Sequence, residues 1–76
     1  MPHVVVKLVA GRSGNLKRRL AEQIVKDVIT ILKVGEESVS VAIEDIKAGE
    51  WTGKVYNADI VPNWDKLYKE PGYDPL

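Results

Sequence analysis

Apolar residues are arranged along this chain in successive patterns, each with its own period. His3 to Val9 read HVVVKLV, with four valines and one leucine in seven positions. β-Branched residues at that density predict a strand. The run is nearly continuous rather than alternating, which suits a strand covered on both faces. Ala10-Gly11-Arg12-Ser13-Gly14 has two glycines and predicts a turn. From Asn15 to Lys33, Leu16, Leu20, Ala21, Ile24, Val25, Val28, Ile29, Ile31 and Leu32 recur mostly at steps of three and four. This spacing predicts an amphipathic helix with one broad apolar stripe. Ser13 or Asn15 is the expected N-cap and Gly35 the expected C-terminal glycine. Lys33 in the last turn suits the negative end of the helix dipole. Ser38 to Ile46 read SVSVAIEDI, where Val39, Val41 and Ile43 alternate with Ser38, Ser40 and Ala42. That is the period of a second strand.

A strand, a helix and a strand in succession predict parallel strands joined by a right-handed crossover. The expected fold class is α+β: a β-α-β protomer with a short C-terminal helix, forming a single domain over residues 1–76. Lys47 to Glu50 reads as a loop that continues through Trp51-Thr52-Gly53. Val55 to Val61 is a weaker apolar stretch that Pro62 is expected to end. Asn63 is the expected cap of a short helix carrying Trp64, Leu67 and Tyr68 on one side. Pro71-Gly72 stops that helix, and Tyr73 to Leu76 form a tail. Two strands and one helix leave sheet edges and a sheet face open, and open edges invite pairing with another chain. The sheet is therefore expected to be extended by homo-oligomerisation.

Composition removes whole classes of function. Lys and Arg number 11, as do Asp and Glu, so the formal net charge is zero. A neutral chain lacks the basic footprint of a general nucleic-acid binder. There is no cysteine, so disulfides, thiolate metal sites and cysteine nucleophiles are excluded. His3 is the single histidine, which excludes a multi-histidine metal site within one chain. No apolar run approaches the roughly 20 residues of a membrane span. Lys7 interrupts the short apolar start, so no signal peptide is expected and the default location is the cytoplasm. Gly11-Arg12-Ser13-Gly14 is too short for a phosphate loop, and no Gly-Lys-Ser/Thr follows it. A serine triad would have to use His3 as its base, with no nucleophile elbow around it. Lys17-Arg18-Arg19 reads as a solvated helix face.

Pro2 is the unusual feature, because it directly precedes a strand. A small second residue, proline included, normally permits removal of the initiator methionine. The chain would then begin with a free secondary amine. An ordinary α-amino group titrates near ~8. An apolar pocket near a cation disfavours its charged form and lowers that value. A neutral amine near pH 7 can serve as general base or nucleophile. While Met1 is attached, the Pro2 nitrogen is an amide and has no basicity.

These residues carry a resemblance. MPHVVVKLVAGRSGNLKRRLAEQI resembles the opening of the 4-oxalocrotonate tautomerase family: Pro after Met, a strand, Gly-Arg-Ser, then an amphipathic helix. SVSVAIEDI followed by Gly49-Glu50-Trp51 resembles its second strand and aromatic loop. DIVPNWDKLYKEPGY resembles the close of the small dimeric, PptA-like members, so the likeness covers nearly the whole chain. The resemblance implies a cofactor-independent keto–enol tautomerase, an isomerase of small 2-oxo or 2-hydroxy acids, and a homodimer rather than a trimer of dimers. Pro2 would be the base. Arg12 matches the arginine that holds a substrate carboxylate, for which a planar guanidinium is well suited; otherwise it is a surface turn residue. Trp51 occupies the aromatic position lining the apolar pocket, a role compatible with interface packing.

The departures from the family pattern shape the expectation. The hexameric enzymes carry a second arginine where this chain has Ser40. A hydroxyl can donate a hydrogen bond but holds no charge, so stabilisation at the carbonyl oxygen should be weaker. That favours a monoacid, such as an aryl-pyruvate enol, over a dicarboxylate. Ser40 is retained as a substrate-binding candidate. His3 reads as a structural residue, since strand alternation points it away from the side Pro2 faces, with a pocket role as the alternative. A haloacrylate-hydrating enzyme needs a carboxylate just past the aromatic position, where Gly53 stands. Glu50 is on the wrong side of Trp51, and Val9 replaces the first member of an arginine pair. A non-catalytic oligomeric module of the same fold is the alternative from another class.

Overall fold

The computed structural model describes residues 1–75; Leu76, the last residue of the expected tail, lies outside the described residues. Strand β1 spans His3–Val9, helix α1 spans Gly14–Leu32 and strand β2 spans Ser40–Ile46. The two strands pair in parallel, with His3 opposite Ser40 and Val9 opposite Ile46. The β-α-β unit is the one expected from the hydrophobic pattern.

Side-chain alternation divides the sheet into two faces. Val4, Val6 and Leu8 share one face with Val41, Ile43 and Asp45. Lys17 of α1 pairs with Asp45 at 2.6 Å, which brings the helix over that face. His3, Val5, Lys7 and Val9 share the other face with Ser40, Ala42, Glu44 and Ile46. There Lys7 forms an ion pair with Asp59, tying the C-terminal segment to the sheet. The hydrogen bond to Asp59 pushes the Lys7 pKa above 10.5; desolvation opposes the shift, and the charges of Asp59 and Glu44 add to it.

The start of α1 is specified locally. Gly11 adopts φ 131°, a conformation that glycine reaches without steric cost and that lets the chain turn out of β1. Ser13 then caps the helix, its hydroxyl accepting from the Leu16 N–H at 3.2 Å. Ser13→Ala should therefore lower stability by about 1 kcal/mol. Urea unfolding at fixed protein concentration checks this, and an unchanged midpoint would reject the cap.

The C-terminal end of α1 differs from expectation. Lys33, not Gly35, takes the left-handed conformation, at φ 56°, ψ 49°. Lys33 is thus the cap residue rather than part of the last turn, and Gly35 is extended at φ −79°. β2 begins at Ser40 rather than Ser38, because Glu36–Ser38 close a 3₁₀ turn in which the Ser38 hydroxyl donates to the Gly35 carbonyl at 2.9 Å.

The expected loop is instead helical, and it runs directly into the expected short C-terminal helix, Val61–Lys66. Ala48–Glu50 form a 3₁₀ turn and Thr52–Ile60 a wide helix in which Val61 N–H donates to Tyr56 O, five residues back. Pro62 does not end it. It stands at the start of a tighter stretch, Val61–Lys66, where a missing N–H is tolerated. Asn63 is not a cap: it sits in a kink at φ −112°, ψ 23°, and its side-chain amide donates to Asp59 O at 2.8 Å. Tyr68 lies beyond that helix and is fully exposed.

The protomer covers little of its own apolar surface. Val55 is the one buried hydrophobic residue among those described. Ala21, Ile24, Val25, Val28 and Ile29 are half-buried, while Leu16, Leu20, Ile31 and Leu32 are exposed. Val5, on the sheet face away from α1, is 45% exposed, against the two-sided cover expected for β1. The accessible surface of 5839 Å² exceeds by about 1,200 Å² the ~4,650 Å² of a typical folded monomer of 8.5 kDa. The radius of gyration, 14.0 Å, likewise exceeds the roughly 11.4 Å expected for this length. Among the described residues no helix is long and apolar enough to cross a membrane.

Candidate active site

Pro2 stands immediately before β1, and the ladder holds its position. Proline has no N–H to donate, but its carbonyl accepts from Ser40 N–H at 3.2 Å. Pro2 is half-buried, whereas Met1 before it is fully exposed. Met1 therefore makes no packing contribution that its removal would forfeit. His3 and Ser40 face each other across the ladder, with His3 Nδ1 and Ser40 Oγ 2.6 Å apart. The structure thus gathers Pro2, His3 and Ser40 at one end of the sheet.

Arg12 and Trp51 belong to the opposite end. Arg12 stands three residues past Val9, the last residue of β1, and its Nη1 donates to the Val9 carbonyl at 3.1 Å. Ala10 N–H donates to Ile46 O at 2.8 Å, so the chain leaving β2 toward Trp51 starts beside that turn. Each strand residue advances about 3.3 Å, which separates Pro2 from Val9 by roughly 23 Å. No small acid can touch Pro2 and Arg12 of one protomer together.

Trp51 is half-buried at the head of the wide helix. Its indole N–H donates to the Tyr73 hydroxyl at 2.9 Å, and the Tyr73 ring lies 5.7 Å from that of Tyr56. This aromatic cluster was not legible from spacing, because Trp51 and Tyr73 are 22 positions apart. Glu50 is engaged by Lys54 at 2.8 Å, and Gly53 presents no side chain. The carboxylate needed to activate water is therefore not offered at the position past Trp51. A cavity of about 350 Å³ lies along α1 between Glu22, Val25, Lys26, Ile29 and Glu36, and none of the candidate residues lines it.

The family model described as tautomerase enzyme matches residues 2–55, beginning at Pro2 itself. The chain belongs to the tautomerase family. This tautomerase is 40% identical over 76 residues to a probable tautomerase of Xylella fastidiosa (strain 9a5c), covering 100% of this chain and 93% of the relative. It is 31% identical over 75 residues to tautomerase PptA of Cronobacter sakazakii, covering 97% of this chain and 99% of the relative. It is 35% identical over 77 residues to tautomerase PptA of Pectobacterium carotovorum, covering 96% and 97% respectively. The resemblance to the 4-oxalocrotonate tautomerase family and its PptA-like members stands, and the chain is an enzyme of the tautomerase, or isomerase, type.

Proposed function

We propose that this tautomerase interconverts the enol and keto forms of small 2-oxo acids, with Pro2 as general base once Met1 is removed. The observation that carries the reading is the placement of Pro2: a half-buried proline at the head of β1, behind a fully exposed Met1, where the family match begins. A freed, neutral Pro2 nitrogen takes the proton from the enol oxygen on C2 and returns it to C3, the other carbon of the C=C bond. The electron pair of the C=C bond takes up that proton while the C=O bond forms, so no electrons leave the substrate. Ser40 supplies a hydrogen bond at the substrate oxygen.

The same reading includes a homodimer. The surplus of about 1,200 Å² per chain falls within the area each subunit buries in an obligate dimer. The span of β1 separates Pro2 from Arg12, so each complete site takes Pro2 from one subunit and Arg12 from its partner. Arg12 anchors the substrate carboxylate there and Trp51 walls the apolar part. Because Ser40 is uncharged, a monoacid with an aryl group is the favoured substrate class over a dicarboxylate.

Intact-mass analysis combined with a phenylenolpyruvate ketonisation assay tests this directly. Activity should track the fraction of chains lacking Met1. A preparation that retains Met1 throughout yet turns over at the same rate overturns the role of Pro2. A natural protein that never loses Met1 and has no activity points instead to a non-catalytic oligomeric module.

A further inference from the structure

We propose that His3 and Ser40 act as one hydrogen-bond donor to the substrate oxygen beside Pro2, with Ser40 touching that oxygen and His3 positioning the Ser40 hydroxyl. The proposal rests on the tautomerase reading above and assigns His3 a task within it. Three observations meet at this point. Ser40 holds the Pro2 carbonyl through its backbone N–H at 3.2 Å, so the residue that fixes the base also carries the hydroxyl. His3 Nδ1 lies 2.6 Å from Ser40 Oγ. Both side chains are exposed and open to a ligand.

The chemistry of the pair decides what it can present. A serine hydroxyl has a single hydrogen. If that hydrogen is given to His3, only lone pairs face the substrate, and they repel the negative charge that develops on the oxygen as the enol loses its proton. If His3 carries its proton on Nδ1, that N–H donates to Ser40 Oγ instead. The serine hydrogen is then free to point at the substrate, and the hydroxyl is polarised by the bond it accepts. The donor keeps its proton throughout; the transferred proton moves between substrate and Pro2 alone. His3 thus sets the direction in which Ser40 donates; alternation puts both side chains on one face, and the base is the Pro2 backbone nitrogen, whose position side-chain alternation does not fix.

The test uses chains lacking Met1 and follows phenylenolpyruvate ketonisation. Ser40→Ala should lower kcat roughly 10- to 100-fold, toward the loss seen for oxyanion-hole donors, with KM changed by less than about threefold. His3→Ala should also lower kcat rather than raise KM. His3→Asn, whose amide N–H can take the place of the Nδ1 donor, should recover most of the rate. The double variant should be no slower than Ser40→Ala, because the two residues act as a unit. An unaltered kcat in Ser40→Ala, or losses that multiply in the double variant, overturns the proposal. If the parent chain turns over and depends on Pro2 while Ser40→Ala is unaffected, this inference and the Ser40 contact fail while Pro2 stays the base. If the parent activity does not depend on Pro2, the assignment of Pro2 as base falls and takes the inference with it.

Discussion

Pro2→Ala is expected to cut kcat for phenylenolpyruvate by roughly 100-fold, within the range that a positioned general base contributes. The variant is informative because alanine also permits removal of Met1 and also leaves a free amine. What it lacks is the ring. In the parent chain the Pro2 carbonyl is held by Ser40 N–H at 3.2 Å, and the pyrrolidine attaches the nitrogen rigidly to that held backbone. An alanine terminus keeps the carbonyl contact, but its amine rotates freely and is more fully hydrated. The loss should appear in kcat with KM little changed, since the amine acts on the proton in flight rather than on substrate binding. A Pro2→Ala chain within about twofold of the parental kcat, with Met1 shown to be absent, removes Pro2 from the mechanism.

Mixing two impaired variants should restore activity. On the proposed reading, Pro2→Ala has a misplaced base, and Arg12→Ala lacks the carboxylate anchor and should mainly raise KM. If every site takes Pro2 from one subunit and Arg12 from the partner, a heterodimer of the two variants has one site with neither group and one site with both. Random exchange makes half of the dimers heterodimers, so about a quarter of the parental kcat/KM should return. The basis is the length of β1. Its seven residues place Pro2 roughly 23 Å from the Val9 carbonyl on which the Arg12 guanidinium rests. That contact occupies one N–H of Arg12, and a guanidinium has further donors for a carboxylate. Subunit exchange verified by native mass spectrometry, without recovery of activity, would show that the two groups do not combine across chains.

Much of the architecture was readable before any coordinates. Four valines in β1, the three- and four-residue steps of α1 and the alternation of β2 are local signals, and each element formed near its expected bounds. The Ser13 cap was equally local. The C-terminal third was read poorly because its signals conflict. Pro62 suggested a stop, but a proline in the first turn of a new helical stretch breaks nothing. Asn63 suggested a cap, but its side chain serves a kink instead. The open apolar flank of α1 was not visible in the pattern, since Leu16 and Ile31 read like core residues and stand exposed in the protomer.

By itself the sequence determined the β-α-β unit, the location of Pro2 at the head of a strand and the absence of thiol and multi-histidine chemistry. These follow from residue type and short-range spacing, which propensity and periodicity encode. Tertiary structure alone decided that His3 meets Ser40 and that Trp51 meets Tyr73. Those relations depend on strand register and on contacts between residues 22 and 37 positions apart. A repeating pattern predicts that a strand or helix will form, but register arises only when two distant segments pack together.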